Sequence, residues 1–475
     1  MTATPRRLAV IGAGVSGLAA AAELGRLAAS GSVPLALTVF DASSRPGGKL
    51  LTVDFAGARV DLGAESVLGR DPQVQALVAE LGLTTSMVQP ATTSASIWDG
   101  RRLVAIPRDT VLGVPLHPWR LDVLRAVGLA GVTRASLEPW LRRGEPDPDG
   151  PLGTFLGGRV GNSVFTRLVG PLLGGVYAGP AGHLSSGAVA PQLVAATQAG
   201  GSLLRGLRQA APARVSGGRG TPFIGFTRGL EQLVGGLTSA LPPGSLRLGQ
   251  AVTALETLPG ERIRLQAQGA PASEFDGLVV ALPAPAAATL LSSVSGEMAA
   301  LLRELEYASV ATITLAYPDR ALSQPLLGSG FLVRRRPRRT VTACTYLDRK
   351  WPHLRQSGLT ILRASAGSFG DEWVLALDDT TLVTTVHREL RAILRLTELP
   401  AEARVERWHG SLPQYRAGHL RWRDRVARVG ASLPVRVELT GAAFGGVGVA
   451  ACLQAGAQSA RTLWRRLGEE PAEGK

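Results

Sequence analysis

Three glycines near the start of the chain have the spacing that a bound diphosphate requires. Gly12, Gly14 and Gly17 follow the apolar run 8–11 and precede an alanine-rich stretch of helical composition. In a strand–turn–helix unit, the first glycine allows a tight turn and the second lets the backbone approach a pyrophosphate, while the third lets helix and strand pack closely. The free N–H groups at the helix N-terminus then favour negative charge.

An acidic residue follows at about the distance expected for a ribose ligand. The run 35–40, LALTVF, predicts a second strand that ends at Asp41, 24 residues after Gly17. The glycine motif alone would also fit a tight connection with a surface aspartate nearby. Because both strands and the carboxylate occur in the required order, the sequence predicts dinucleotide binding.

The sequence after Asp41 indicates which dinucleotide is bound. ASSRPGGKL places two adjacent glycines before a lysine, and VDLGAES follows at 60–66. This order resembles the FAD enzymes of the amine-oxidase superfamily. The resemblance implies that the paired glycines and the lysine lie along the flavin diphosphate and ring, and that segment 60–66 covers the flavin. The FAD contacts implied in this part of the chain, the glycine motif included, are Gly12, Ala13, Gly14, Val15, Ser16, Gly17, Asp41, Ala42, Arg45, Gly47, Gly48, Lys49, Gly63, Ala64, Glu65 and Ser66.

Six further segments resemble, in order, the protoporphyrinogen and coproporphyrinogen oxidases of that superfamily. RWHGSLPQYRAGH at 407–419 is the most specific, because W, PQY and GH fall in the family's order. The other five lie at 168–186, 225–237, 281–291, 345–367 and 441–456. The further FAD contacts that this resemblance implies are Val252 on the adenosine side, Trp408 beside the isoalloxazine, and Val447, Gly448 and Val449 at the start of a helix aimed at the flavin N1–C2=O edge.

The same resemblance implies an activity. We expect FAD-dependent oxidation of coproporphyrinogen III to coproporphyrin III in heme biosynthesis, in which six electrons leave the substrate, dioxygen accepts them and hydrogen peroxide forms. Oxidation of protoporphyrinogen IX to protoporphyrin IX is the alternative. A flavin amine oxidase or a carotenoid desaturase is a more distant one, and a flavin-binding redox sensor without turnover is the alternative outside the enzymes.

No protein side chain is assigned as catalytic. Hydride goes to flavin N5 in such a reaction, so the cofactor carries the difficult step and no protein nucleophile is required. The six histidines of the sequence lack metal-ligand spacing, which predicts no metal site.

Three residues are candidates for contact with the substrate, which is apolar at its centre and anionic at its rim. Leu172 and Tyr177 lie in an apolar run that would supply pocket walls, although plain core is the simpler interpretation. Arg108, in AIPRDTVLG, is the candidate cation. Plant and animal relatives carry an arginine at the position that aligns with Val111. This departure from their pattern fits better with the bacterial branch that favours coproporphyrinogen III.

The elements needed to position these residues predict an α/β fold with three units. A Rossmann-like FAD-binding domain with the GxGxxG motif is expected to gather 1–85, 213–285 and 405–475. Residues 86–212 are expected to form a helical insertion and pocket wall, membrane-associating in relatives, with a hairpin signal at 96–106. Residues 286–404 are expected to form a mixed-sheet, substrate-binding domain.

The charge of the chain bears on its partners. Lys and Arg number 51 and Asp and Glu 37, for a net charge of +14, and the densest basic run is 334–339. We predict no nucleic-acid partner, because aromatic residues are not interleaved with the basic ones and no nucleic-acid-binding module is recognisable. A tetracarboxylate such as coproporphyrinogen III suits the positive charge better than a dicarboxylate does.

The remaining composition predicts a cytoplasmic location. Two cysteines exclude a disulfide framework and fit a reducing compartment. Neither a spanning helix nor a signal peptide is expected. An amphipathic, arginine-bearing face of the helical insertion leaves open a peripheral contact with the inner face of the membrane. Contacts with other enzymes of heme synthesis and the oligomeric state also stay open.

Overall fold

The computed structural model describes residues 4–141, 144–210, 222–335 and 339–468. The strands in these ranges are β1 (Arg6–Ile11), β2 (Leu35–Phe40), β3 (Thr52–Phe55), β4 (Ala58–Asp61), β5 (Val67–Leu68), β6 (Met87–Val88), β7 (Ser96–Trp98), β8 (Leu103–Ala105), β9 (Thr110–Val111), β10 (Val114–Pro115), β11 (Phe223–Phe226), β12 (Leu246–Arg247), β13 (Val252–Leu258), β14 (Arg262–Ala267), β15 (Ser273–Phe275), β16 (Gly277–Val280), β17 (Tyr307–Pro318), β18 (Gly330–Val333), β19 (Val341–Tyr346), β20 (Leu359–Ala366), β21 (Glu402–Pro413) and β22 (Val437–Leu439).

The helices in the same ranges are α1 (Val15–Gly31), α2 (Pro72–Glu80), α3 (Leu121–Ser136), α4 (Leu152–Arg159), α5 (Asn162–Val164), α6 (Gly170–Tyr177), α7 (Ser186–Val189), α8 (Pro191–Gly200), α9 (Leu203–Ala210), α10 (Glu231–Ser239), α11 (Ala284–Leu291), α12 (Gly296–Arg303), α13 (Leu347–Lys350), α14 (Asp379–Leu394), α15 (His419–Ala431) and α16 (Val449–Arg466). A π-helical turn, Phe165–Val169, joins α5 to α6.

A five-stranded parallel sheet carries the glycine motif. Its order is β12-β2-β1-β16-β22, and β1 is buried because both of its faces are covered. Leu8 and Val10 pack against α1 and α16 on one face, while Ala9 and Ile11 pack against α11 and α12 on the other. This alternation follows from the two-residue period of a strand. In parallel strands all carboxyl ends meet at one edge, so residues that follow β1, β2, β16 and β22 lie together there.

A seven-stranded mixed sheet lies beside the parallel sheet. Its order is β21-β17-β20-β19-β18-β7-β8, with one parallel pair, β18 and β7, among antiparallel neighbours. Leu382, Val386 and Leu390 of α14 cover one face through their helical spacing. On the other face, Arg363 and Thr312 bond to backbone oxygens between 61 and 63, so this sheet contacts the segment after β4.

Helices α3 to α9 form a separate cluster around their own buried core. Glu138 is buried in it and accepts hydrogen bonds from the N–H groups of Leu203 and Leu204, which satisfies the start of α9. Arg159 lies 3.6 Å from the same carboxylate. Within the described ranges, no helix has both the length and the hydropathy that crossing a bilayer requires.

The predicted α/β class is confirmed, with its Rossmann-like unit, mixed sheet and helical insertion. The hairpin signal at 96–106 corresponds to β7 and β8, but these strands pair into the mixed sheet. Strand β21 also lies in the mixed sheet, whereas α11 and α12 pack on the parallel sheet. Strand pairing is long-range, so local patterns do not place such boundaries, and the three-domain division stays a prediction.

Some sequence features lie outside the described residues. They are 1–3 at the start of the predicted FAD-binding domain, 142–143 and 211–212 of the predicted helical insertion, 213–221 of the second FAD-domain segment, 336–338 of the basic run, and the end of the chain from 469.

Candidate functional site

The glycine turn has the shape that its spacing predicts. Gly12 has a φ of +105°, which only glycine adopts readily, and a Cβ there would lie 2.7 Å from the Ala281 carbonyl oxygen. A Cβ on Gly17 would overlap the Gly12 oxygen, so helix and strand touch at this position. A Cβ on Gly14, in contrast, would meet no atom within 4 Å. Open space therefore lies beside the Gly14 backbone, where a diphosphate is expected.

Asp41 lies directly against this turn at the carboxyl edge of the sheet. Its Oδ2 accepts a hydrogen bond of 2.6 Å from the Ala13 N–H, and its Oδ1 accepts one of 2.7 Å from the Ser43 N–H. The Asp41 carbonyl oxygen accepts from Gln250, which brings the start of β13, and with it Val252, to the same edge. Ala42 lies between Asp41 and Ser43. The residues predicted to contact the adenosine, Asp41, Ala42 and Val252, therefore lie together at the carboxyl edge of the sheet.

The second glycine segment packs onto the first. The Gly47 N–H donates to the Ala13 carbonyl oxygen over 2.8 Å. A Cβ on Gly48 would lie 3.2 Å from the Gly14 Cα. The Arg45 guanidinium donates to the carbonyl oxygens of Leu50 and Gly48, at 3.0 and 2.7 Å. Arg45 thus supports the loop that holds the paired glycines.

Two helix N-termini point to this edge from the same side. Helices α1 and α16 run parallel, since Ser16 contacts Gly456 and Glu23 pairs with Arg461 at 2.6 Å, seven and five residues further along the two helices. Neither helix has a side-chain cap at its N-terminus or an acidic residue in its first turn. The partial positive charge of both N-termini is therefore available to an anionic group. Val15 and Ser16 begin one helix, and Gly448 and Val449 the other.

Lys49, Gly63 and Trp408 meet where the flavin ring is expected. A Cβ on Gly63 would overlap the Lys49 carbonyl oxygen and would lie 3.3 Å from Cη2 of Trp408. The Trp408 Nε1 donates to Thr312 Oγ1 over 3.2 Å. The Lys49 Nζ donates to the Ser411 carbonyl oxygen, and burial lowers the pKa of this lysine.

Glu65 is held by two cations that sequence reasoning missed. Its carboxylate lies 2.5 Å from Lys350 Nζ and 2.6 Å from Arg363 Nη2. Burial opposes ionisation of Glu65, but Arg363 and Lys350 outweigh it, and the pKa ends below its ordinary value. Arg363 also donates to the Gly63 oxygen over 3.0 Å. Both cations lie in segment 345–367, which the sequence analysis noted for its resemblance to the family. The local sequence of that segment does not indicate that Lys350 and Arg363 pair with Glu65. Ala64 and Ser66 flank this ion cluster.

A neighbouring carboxyl group shows the opposite shift. Burial raises the pKa of Asp61 to about 6, although Thr52 Oγ1 and the Leu230 N–H donate to it. The pKa values of Asp61 and Glu65, four residues apart, thus shift in opposite directions because the charges around the two carboxyl groups differ.

The predicted substrate residues are only partly brought together. Tyr177 ends α6 with its ring 5.5 Å from that of Tyr415. Leu172 lies on the same helix, facing Gly113, where a Cβ would lie 2.9 Å from Leu172 Cδ1. Arg108 is exposed on the loop between β8 and β9, with its N–H donating to Asp122. Val447 packs against the helical cluster. The turn 440–448 between β22 and α16, called the flavin-side turn below, therefore reaches these helices.

A cavity of about 350 Å³ lies between α6 and the edge of the mixed sheet. The π-helical turn before α6 contributes Phe165 and Thr166 to its wall, and β18 and β19 contribute Val333 and Val341. Such π-helical turns occur frequently at functional sites.

The residues at the sheet edge fit a flavin dinucleotide. Gly14 leaves open the space that a Cβ would fill, and two uncapped helix N-termini suit phosphate and carbonyl oxygens. Ser411 Oγ, beside Lys49, is buried and has no hydrogen-bond partner among the described residues. A polar edge of the ring would satisfy it.

Comparison with known proteins gives the same picture over nearly the full chain. The model of a family described as flavin containing amine oxidoreductase matches residues 15–463. The coproporphyrinogen III oxidase of Mycobacterium leprae (strain TN) is 35% identical over 470 residues, covering 97% of this chain and 98% of its own. That of Bacillus subtilis (strain 168) is 32% identical over 457 residues, covering 95% and 96%. The crystal structure of a provisionally named protoporphyrinogen oxidase from Exiguobacterium sp. 255-15 superposes with a TM-score of 0.85 at 29% identity, over 98% of this chain and 99% of that one.

Proposed function

The chain belongs to the family of flavin containing amine oxidoreductases, and we propose that it is the member that oxidises coproporphyrinogen III to coproporphyrin III in heme biosynthesis. The observation that carries the proposal is the likeness to two relatives named coproporphyrinogen III oxidase, with between 95% and 98% of each chain covered. FAD is the cofactor. Protoporphyrinogen IX is the alternative substrate, since the Exiguobacterium structure carries that enzyme's name.

The reaction is an oxidation in three two-electron steps. Each step removes a hydride from a meso carbon and a proton from the macrocycle. Over the three steps the four meso carbons lose one hydrogen each, three as hydride and one as a proton, and two pyrrole nitrogens lose a proton, so six hydrogen atoms leave in all. FAD held at the sheet edge would supply this redox chemistry, with dioxygen as the final electron acceptor, so that three dioxygen molecules would become three of hydrogen peroxide for each porphyrin formed.

The protein contributes position and electrostatics. The N-termini of α1 and α16 favour negative charge at the carboxyl edge of the parallel sheet. Trp408 is held by Thr312, and Thr312 by the Leu62 carbonyl oxygen over 2.8 Å, so the aromatic face beside Gly63 has a fixed position. Lys49 Nζ is held on the Ser411 oxygen and places a buried cation at the same point. These contacts support an ordered ring-binding region rather than a mobile one.

The mixed sheet and the helical cluster supply the walls of the substrate space. Gln414, after β21, donates to the Tyr177 carbonyl oxygen over 2.7 Å and joins the end of α6 to the sheet. Tyr415 packs against Tyr177, and its hydroxyl donates to the Ala442 oxygen of the flavin-side turn. Buried aromatic and apolar walls of this kind exclude water from a flat, apolar substrate.

An amine oxidase is less well supported by the same geometry. That activity is expected to use an aromatic pair beside the flavin, and Trp408 with Phe444 is the pair that the sequence offers. The Phe444 ring instead stacks on Trp422, with centroids 5.7 Å apart and planes 13° from parallel. Phe444 therefore already has an aromatic partner on α15.

The proposal is tested with the purified holoenzyme in air. We expect flavin absorbance, and porphyrin fluorescence that rises above a blank without enzyme when coproporphyrinogen III is added. The ratio of kcat/KM for coproporphyrinogen III and protoporphyrinogen IX assigns the substrate. Gly14→Val, designed to exclude the cofactor, is the matched control. Bound FAD with both rates at the blank would contradict the proposal.

We also propose a cytoplasmic location with peripheral contact at an anionic membrane surface. Four large apolar side chains, Trp119, Leu121, Leu129 and Trp140, are exposed by 60–73% along and beside α3, which is kinked at Gly128. Arg125 is exposed on the same helix. Tryptophan beside arginine is typical of helices that lie in a membrane interface. Contact with other enzymes of heme synthesis stays a prediction.

Vesicle sedimentation tests this contact. We expect the protein to sediment with vesicles that contain anionic lipid more than with purely zwitterionic ones, and to lose this binding in Trp119→Ser/Trp140→Ser. Trp373→Ser removes another exposed indole, 42% accessible and beside the mixed sheet, and should leave binding unchanged. Equal loss in both variants, or no binding by the parent protein, would argue against a membrane contact at α3.

A further inference from the structure

We propose that Arg334, Arg335 and Arg339 bind substrate carboxylates in the cavity between α6 and the edge of the mixed sheet. The inference rests on the proposed function, because it takes a porphyrinogen with propionate side chains as the ligand, and it adds a specificity-determining site to it. The three described arginines of the basic run, which the site described above does not use, thereby acquire a role.

The cavity has one apolar wall and one cationic wall. Pro171, Gly174 and Gly175 line it from α6. A Cβ on Gly175 would lie 2.9 Å from Leu332 Cδ2 of β18, so helix and strand already touch at this end. The opposite wall carries the three arginines.

The positive charge of the cavity is not neutralised by the described residues that line it. Those residues include three arginines and a single carboxylate, Asp371. The Arg334 guanidinium makes no hydrogen bond or ion pair to any part of the chain that the structure describes. Among the described residues, the Arg335 guanidinium donates through Nη2 to one neutral group, the Phe369 carbonyl oxygen, over 3.0 Å. An excess of cations in a concave, partly apolar site attracts an anion.

Arg339 supplies the strongest individual evidence. Its Nη1 is buried and has no hydrogen-bond partner among the described residues, and the nearest carboxylate oxygen, Glu389 Oε2, is 3.9 Å away. Glu389 is itself used by the N–H groups of Thr340 and Val341, at 2.9 and 3.2 Å. A buried guanidinium N–H without an acceptor is costly, so a ligand oxygen at this point would be stabilising. Carboxylates match the planar donor geometry of arginine.

The cavity is close enough to the flavin-binding region for one tetrapyrrole to extend between them. Thr342 of β19 lines the cavity and donates to the Ser365 carbonyl oxygen of β20. Ser365 is paired with Thr312 of β17, the residue that holds Trp408. Two strand spacings thus separate Thr342, in the cavity wall, from Thr312 beside the ring region, about 10 Å in all. A macrocycle oxidised at the flavin would extend its propionate arms across this distance toward the arginines.

Coproporphyrinogen III carries four propionates and protoporphyrinogen IX two, so the site should favour the former. The holoenzyme is assayed with both, comparing wild type with Arg334→Gln/Arg335→Gln. We expect KM for coproporphyrinogen III to rise about tenfold or more, the loss expected for charge-assisted hydrogen bonds, with kcat within about twofold. The rise for protoporphyrinogen IX should be smaller. Arg334→Lys/Arg335→Lys, which keeps the charge, should recover part of the affinity.

Arg423→Gln/Arg428→Gln is the matched control, because it removes two exposed arginines from α15 and changes the net charge equally. It should leave both KM values unchanged. Flavin content and melting temperature report whether each variant is folded. Binding of the product coproporphyrin III, followed by its fluorescence, needs no turnover and is measured on the same proteins.

The outcomes separate the two proposals. Turnover by the wild type with KM and product affinity unchanged in Arg334→Gln/Arg335→Gln would overturn the arginine site and leave the proposed function intact. An equal rise in the α15 control would do the same, because it would reduce the effect to net charge. Absence of wild-type turnover removes the proposed function, and unchanged product binding in that case overturns the arginine site as well.

Discussion

Ser16 and Gly456 touch backbone to backbone, so closely that a Cβ at 456 would overlap the Ser16 carbonyl oxygen. This contact brings α1 and α16 side by side near their N-terminal ends, and the ion pair of Glu23 with Arg461 aligns them further along. The contacting positions of the two helices are 438 to 440 residues apart in the sequence, and both helices present their N-termini to one site. The aligned dipoles depend on a position that admits no side chain.

Gly456→Ala should therefore destabilise the fold and weaken FAD binding together. The added methyl forces α16 away from α1, at a cost of about 1–3 kcal/mol in the free energy of unfolding. Gly25→Ala is the control, because it lies within α1 with no atom near its Cβ position and should be neutral or stabilising. Thermal unfolding and a flavin titration of the apoprotein provide the measurements. Unchanged stability in Gly456→Ala would show that the helices are not in contact as described.

Gly14→Ala should weaken FAD binding without destabilising the apoprotein. The methyl would enter open space within the glycine turn, so it disturbs no protein atom but occupies the approach of the diphosphate. We expect about a tenfold loss in affinity, or about 1.4 kcal/mol. Gly17→Ala is the contrasting variant, since its methyl overlaps the Gly12 oxygen and should lower stability. Equal FAD affinity in Gly14→Ala and wild type would show that the diphosphate does not bind beside Gly14.

Glu65→Gln should be strongly destabilising, because it leaves Arg363 and Lys350 as buried cations without their counter-ion. Breaking a buried ion pair from one side costs about 3–5 kcal/mol. Glu231→Gln removes a carboxylate from an exposed pair with Arg59, and should cost less than about 1 kcal/mol. Denaturant unfolding at neutral pH compares the two variants.

The pKa of Glu65 also gives a pH dependence. A carboxyl whose pKa is lower in the folded chain stabilises it above the unfolded value, and this stability is lost as the pH falls from 4.5 through the folded pKa. Wild type should thus lose stability below pH 4.5 more steeply than Glu65→Gln. Parallel curves in that range would contradict the assignment.

Asp61→Asn should remove a pH dependence of the opposite sign. The pKa of Asp61 rises from 3.8 to about 6 on folding, so its proton is bound more tightly in the folded chain. The stability that this provides is complete below 3.8 and is lost as the pH rises through about 6, by up to about 3 kcal/mol. Asp61→Asn should flatten the curve between pH 4 and 6, whereas Asp54→Asn, at an exposed carboxylate on β3, should not. Unfolding measured across that range decides between them.

Local sequence patterns were sufficient for the cofactor turn and for the class of fold. Gly12, Gly14 and Gly17 act within one strand–turn–helix unit, and Asp41 ends the neighbouring strand, so their spacing along the chain already describes their spacing in the sheet edge. The family resemblance, the FAD cofactor and the porphyrinogen-oxidising activity expected from ordered motifs agree with the comparisons. In these cases the information lies within short segments or in the order of the segments.

Tertiary structure alone decided which distant side chains share the site. Lys350 and Arg363 reach Glu65 across about 285–298 residues of chain, and Trp408 reaches Gly63 because β21 pairs into the mixed sheet. Likewise, Arg339 faces α6 only because β18 and β19 lie against the helical cluster. Periodicity reports which face of an element is buried, but the partner of that face depends on long-range strand pairing and helix packing, which no local pattern encodes.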